Sequence, residues 1–133
     1  VLIDNYAHHP TEIKAVQDSI REMYPDEKVL AIFQPHLFSR TKDFVDDFAV
    51  ELSKFDELFL LDIYPAREMP IEGVHSERLL NKIELKNKKL ISKENVIKEI
   101  RKTPSKIVVM IGAGDIGVLI NDVVKELNNK GIS

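Results

Sequence analysis

"ELFLLDIY", residues 57–64, carries apolar side chains at odd and even positions alike. A strand with one wet face alternates apolar and polar residues. This one does not, so it reads as a strand buried on both faces, the habit of parallel sheets covered by helices. Working outward, "KVLAIF" (28–33) is the strand before it and "SKIVVMI" (105–111) the strand that ends the series. "VLID" (1–4) and "KKLIS" (88–92) are shorter candidates. Helical signals separate them. Pro10 suits the first turn of a helix, where its missing N–H would have had no partner anyway. Ile13, Val16, Ile20 and Met23 then follow at helical spacing. Phe44, Val45, Phe48, Leu52 and Phe55 mark a second helix, with Asp43, Asp46, Asp47 and Glu51 on its wet side. A short helix around 76–83 and another over 93–102 are expected, and the last carries Ile116, Leu119, Ile120, Val123 and Leu127. Strands alternating with helices of this length form parallel βαβ units. The fold class is therefore α/β: a Rossmann-like, mostly parallel open sheet with helices on both faces. Strand order is not legible from the pattern.

The 133 residues are expected to form a single domain, 1–133, large enough to bury a core without staples. A net charge of −3 gives no electrostatic case for nucleic acid. There is no cysteine, which removes disulfide scaffolds, thiolate metal sites and thiol catalysis. The apolar runs are too short to span a bilayer, and no signal-peptide pattern is visible. A cytoplasmic chain with no membrane partner is expected. Val1 opens directly on a strand-like run, so we expect a fragment of a larger protein.

In an open parallel sheet, ligands bind beyond the carboxyl ends of the strands. The segments expected there are Asn5-Tyr6-Ala7-His8-His9-Pro10, then Gln34-Pro35-His36-Leu37-Phe38-Ser39-Arg40, then Asp62-Ile63-Tyr64-Pro65-Ala66-Arg67-Glu68, and finally Gly112-Ala113-Gly114-Asp115. The opposite turns, "MYPDEK", "SKFDE", "ELKNKK" and "KTPSK", hold no histidine and read as solvated turns. Three of the four histidines thus fall on one edge. Each has a plainer reading: His8 and His9 as a helix cap and corner filler, His36 as a turn residue, and His75 as an exposed loop residue. A metal site would need about three convergent ligands, and adjacent residues such as His8 and His9 seldom aim at one ion. Arg40 either starts the second helix, where its charge is mildly unfavourable against the dipole, or meets an anionic partner.

"GAGDIG" (112–117) matches GxGxxG after a strand and before a helix. The dinucleotide fingerprint also needs a further strand and an acidic residue some 20 positions on, for which the remaining chain is too short. The stretch reads better as a tight turn presenting backbone N–H groups to a polar ligand. No GxxxxGK[ST] motif is present, so the chain has no P-loop of its own.

Taken together, "DNYAHHPTEI" (4–13), "FQPHLFSRT" (33–41), "DIYPAREMPIEGV" (62–74) and "GAGDIG" resemble, in order and spacing, the C-terminal domain of the Mur ligase family. Within it they are most similar to the branch that joins L-alanine to UDP-N-acetylmuramic acid. The resemblance covers essentially the whole chain, and the first two motifs together are its most specific part. It implies a three-domain, ATP- and Mg2+-dependent ligase of peptidoglycan precursor synthesis that works through an acyl phosphate. ATP and Mg2+ would be held mainly by the N-terminal and central domains, which lie outside this chain. This chain would be the lid, inactive alone. It would supply substrate-binding Tyr6, His8, His36, Arg40, Gly112 and Gly114, but no catalytic group and no metal ligand. Asn5 stands where the family pattern has Asp, so the resemblance carries it over only as a weak ATP contact. The alternatives are the related murein peptide ligase of cell-wall recycling, whose counterpart of "FQPHLFSRT" differs, a non-catalytic nucleotide-binding α/β module, and a metal-dependent hydrolase using the histidines.

Overall fold

The computed structural model describes residues 2–112 and 115–129. Five strands form one sheet: β1 (Leu2–Asn5), β2 (Val29–Phe33), β3 (Glu57–Leu60), β4 (Lys88–Leu90) and β5 (Ile107–Ile111). Their spatial order is β1-β5-β2-β3-β4, and every pairing is parallel. The final strand inserts between the first two, with Leu30 opposite Val108 on one side and Leu2 opposite Val108 on the other. That long-range insertion is what the local pattern cannot encode.

Every residue of β2 and β5 is buried. Successive side chains point to opposite faces, and the two faces have separate cores. Val29, Ala31, Phe33, Leu58, Leu60, Val109 and Ile111 pack under α1 (Pro10–Met23), α3 (Val45–Leu52) and α4 (Ser76–Lys82). Leu30, Ile32, Phe59, Leu61, Val108 and Met110 pack under α5 (Lys93–Ile100) and α6 (Ile120–Asn129). Each such large side chain contributes about 1.5–3 kcal/mol by leaving water, which is why the doubly buried strands dominate the stability of the fold. Helices on both faces of a parallel sheet agree with the sequence reading.

Three boundaries differ from the pattern. The strand in 57–64 ends at Leu60, and Tyr64 returns only as an isolated parallel bridge to His36. The helix expected from Phe44 onward is preceded by a separate one, α2 (Phe38–Asp43). Phe44, with φ −118° and ψ 22°, breaks the two apart. The last helix opens as a 3-10 turn, Asp115–Leu119, before α6 begins. Among the described residues no helix is long and apolar enough to cross a membrane.

Candidate functional site

The carboxyl edge of the sheet gathers the predicted residues. Asn5 ends β1. Its Oδ1 accepts the N–H of Ala7 at 2.8 Å, a tight turn that throws Tyr6 outward. Tyr6 is 72% exposed, so its ring stands largely clear of the described residues. His8 follows, half-buried, with Nδ1 3.1 Å from the Tyr6 carbonyl and 3.7 Å from Glu12 Oε1. His9 does take the plainer role: its Nδ1 accepts from Thr11 N at 3.2 Å and caps α1, and its ring meets Phe44 edge-on at 4.7 Å.

The segment after β2 supplies the second half. The His36 ring lies 6.1 Å from that of His8 and stacks on Tyr64 at 5.6 Å, 22° from parallel. Arg40, one turn into α2, donates to His36 Nδ1 at 3.0 Å and to the His36 carbonyl at 3.3 Å. Burial, then the charges of Arg40 and His8, hold the His36 pKa below its ordinary value, against a smaller opposing pull from Glu68. His36 is therefore a neutral ring. The opposing turns at the other end of the sheet are structural: Asp56 accepts from Arg21 at 2.9 Å and from Val29 N at 2.8 Å.

Gly112 closes the strand edge, its N–H donating to the Asn5 carbonyl at 3.1 Å. A Cβ there would sit 3.0 Å from Ile116 Cγ2 and 3.2 Å from the Gln34 carbonyl oxygen, so the position is tight for any larger residue. Gly114 lies outside the described residues. His75 is exposed, just before α4, in keeping with its plainer reading.

Three residues that the sequence reading did not single out prove central. Tyr64 forms the wall on which His36 stacks. Gln34, buried, accepts from Ile116 N at 3.0 Å and donates to Asp115, tying the turn after β5 to the end of β2. Glu68 accepts from both the N–H and the hydroxyl of Ser39. The available signal was only their place after a strand. Next to the histidines, a cleft of about 220 Å³ shares Tyr64 and is lined further by Gln34, Asp62, Ser92, Lys93 and Asp115. Burial works against the Asp115 carboxylate, but hydrogen bonds from Lys93 and Gln34 outweigh it and keep its pKa low.

The edge thus offers an exposed phenol, two histidine rings and a guanidinium, groups suited to carboxylates and other anions. Among the described residues no group of three His, Asp or Glu is placed to hold a metal ion. The Asn5 oxygen is already engaged, leaving its amide N–H2 to meet a hydroxyl. Among the described residues the Asn5 amide fits one contact to a hydroxyl, and no group of carboxylates is gathered for Mg2+.

The family model for the Mur ligase, glutamate ligase domain, matches residues 1–120. The chain belongs to the Mur ligase family. This Mur ligase domain is 62% identical over 130 residues to the UDP-N-acetylmuramate–L-alanine ligase of Flavobacterium psychrophilum, covering 98% of the chain and 29% of that protein. It is 62% identical over 127 residues to the ligase of the same name from Christiangramia forsetii, covering 96% and 28%. The domain therefore spans under a third of the length of these curated relatives. Among solved structures it is similar to the UDP-N-acetylmuramate-alanine ligase of Thermotoga maritima, with a TM-score of 0.71 at 24% identity over 97% of the chain and 27% of that structure. It is also similar to a domain of a ligase from Haemophilus ducreyi, with a TM-score of 0.69 at 19% identity. That match covers 95% of this chain and 89% of the other, so this fold stands as a chain of its own there. At these identities the structures speak for the fold, and for no more.

Proposed function

We propose that the chain is the C-terminal lid of a cytoplasmic, three-domain ligase that joins L-alanine to UDP-N-acetylmuramic acid in peptidoglycan precursor synthesis. The observation that carries the reading is 62% identity over 98% of the chain to a ligase of that name. The donor edge of His8, His36 and Arg40 supports it. ATP and Mg2+ would be held by the N-terminal and central domains, consistent with the lack of a P-loop here. ATP would supply the phosphoryl group that activates the carboxylate of the sugar acid. The residues of this chain orient the partners around it.

In this reading Tyr6 and His8 face the sugar acid and the incoming amino acid. Arg40 takes a carboxylate in its planar fork, a geometry that lysine cannot reproduce. His36 and Gly112 line the same cleft, and Asn5 touches the ATP side. Closure of the lid shields the acyl phosphate from water and aligns the amine for attack. The chain alone turns nothing over.

The test uses the full-length protein with ATP, Mg2+ and UDP-N-acetylmuramic acid, comparing phosphate release with L-alanine and with the recycled murein tripeptide. Release with L-alanine alone is expected. Release with the tripeptide alone moves the chain to murein peptide ligation, and release with neither leaves a binding module. Ligation by the 133 residues alone would overturn the three-domain reading.

A further inference from the structure

The segments 34–41 and 61–68 are joined at several points. Leu37 N–H donates to the Tyr64 carbonyl and Tyr64 N–H to the Pro35 carbonyl, both at 2.8 Å. His36 stacks on Tyr64. Glu68 accepts the Ser39 N–H at 3.1 Å and the Ser39 hydroxyl as well. Between these points Leu37 sits at φ 73° and ψ 134°, a backbone state that a branched side chain rarely adopts. Such strain persists only where the surroundings over-determine it. The Leu37 carbonyl is held by Thr41 N–H at 3.2 Å and by the Thr41 hydroxyl at 2.8 Å, which fixes the C-terminal side of the strained residue. Glu68 fixes Ser39 from a different loop.

Arg40 directly follows Ser39, and it makes no ion pair with Glu68 or any other carboxylate among the described residues. The part Glu68 plays is thus not to neutralise the guanidinium but to aim it. We propose that Glu68 is a positioning residue for the substrate-reading pair Arg40 and His36: by holding Ser39 it keeps α2 where Arg40 donates to His36 Nδ1, so that His36 presents only Nε2–H to the substrate. The aim of the pair at substrate rests on the ligase reading above; the clamp itself does not. The Ser39 hydroxyl and N–H also hold the Glu68 carboxyl pKa below the ordinary range, so the clamp is charged at neutral pH.

Two measurements test it. The first is the His36 ring by long-range 1H–15N correlation on the 133-residue chain at pH 8. The unsubstituted chain is expected to show the Nε2–H tautomer alone, and Glu68→Ala a mixture with the Nδ1–H form. The second is steady-state kinetics of the full-length ligase. Glu68→Ala is expected to raise KM for L-alanine or for UDP-N-acetylmuramic acid about tenfold, as for the loss of one hydrogen bond, with KM for ATP unchanged. Glu68→Gln, which keeps an acceptor for the Ser39 N–H, restores most of both. If Glu68→Ala lowers the folded fraction, Ser39→Ala removes the hydroxyl bond alone and is expected to move both readouts less far. An unchanged tautomer in both variants overturns the proposal. A shifted tautomer with KM unchanged for both L-alanine and UDP-N-acetylmuramic acid upholds the clamp and overturns the aim of the pair at a substrate carboxylate.

Discussion

Arg40 donates an N–H to Nδ1 of His36 across 3.0 Å. A guanidinium has no acceptor and keeps its protons in proteins, so Nδ1 must be the accepting nitrogen and the ring proton sits on Nε2. The consequence is chemical. While Arg40 holds it, His36 is a hydrogen-bond donor toward ligand and has no free basic nitrogen with which to take a proton. Together the pair presents donors alone, a chemistry suited to an anion and not to a general base.

Arg40→Ala in the full-length enzyme is therefore expected to weaken use of L-alanine or the sugar acid while sparing ATP. Loss of a charge-assisted hydrogen bond costs about 1.5–3 kcal/mol, or roughly 10- to 100-fold in kcat/KM. Arg40→Lys keeps the charge but loses the fork, so it recovers only part of the loss. Unchanged kinetics in both variants would remove Arg40 from the site.

His36 gives a pH signature in the stability of the domain. Its folded pKa is depressed by burial first, then by the charges of Arg40 and His8. Tyr64 and Glu68 are the other groups against it, and Glu68 pulls weakly the opposite way. A depressed folded pKa means the unfolded chain binds the proton more readily. The stabilisation is thus complete above the unfolded value of about 6.5 and is lost as pH falls through the lower folded value. Urea midpoints measured from pH 7.5 downward should fall across this window in the unsubstituted chain and fall less in His36→Gln. Equal slopes would show that another group sets the dependence. Glu68 and Asp115 are depressed as well, from the lower ordinary values of carboxylates.

The sheet was legible because β2 and β5 are apolar at every position, and a two-sided burial requirement leaves few alternatives to a parallel sheet between helices. Its order was not, since the insertion of β5 between β1 and β2 depends on contacts about 80–105 residues apart in sequence. The split at Phe44 escaped notice because Phe44 packs against the same core as Val45 and Phe48 and so continues the apolar stripe even as its backbone leaves the helix. At the site, His8, His36 and Arg40 were visible from their place after strands. Tyr64 and Glu68 were harder to single out, because a loop residue that supports another loop leaves no periodicity in sequence. His9 could be read either way, and its ring nitrogen on Thr11 N–H decides for the cap.

The core on the α3 side should respond to truncation as close-packed interiors do. The Phe48 ring is 1% exposed and meets that of Phe33 at 5.5 Å, between α3 and β2. Phe48→Ala is expected to cost about 3–5 kcal/mol. Val50, two residues on and 60% exposed, is the control: Val50→Ala should stay within about 0.5 kcal/mol. Chemical denaturation of both variants checks the contrast, and a comparable loss in each would mean that α3 is not seated as described.

Gly112 and Gly117 belong to the same GxGxxG-like stretch but should respond oppositely to alanine. At Gly112 the new methyl would lie 3.0 Å from Ile116 and 3.2 Å from the Gln34 carbonyl oxygen, a backbone atom that cannot swing aside. Gln34 also carries the bonds to Ile116 N and Asp115, so displacing it loosens its hold on the start of the 3-10 turn. Gly112→Ala is expected to destabilise by about 1–3 kcal/mol through overpacking. At Gly117 nothing lies within 4 Å of the added carbon. Its backbone is in the 3-10 turn, where alanine is allowed, so the main effect is a less disordered unfolded chain. Gly117→Ala is expected to stabilise by about 0.4–1 kcal/mol. Thermal melts of the two variants decide it. If Gly112→Ala melts at or above the unsubstituted temperature, then the turn after β5 is not packed on Gln34, and the link between the β2 and β5 ends that shapes this edge is wrong.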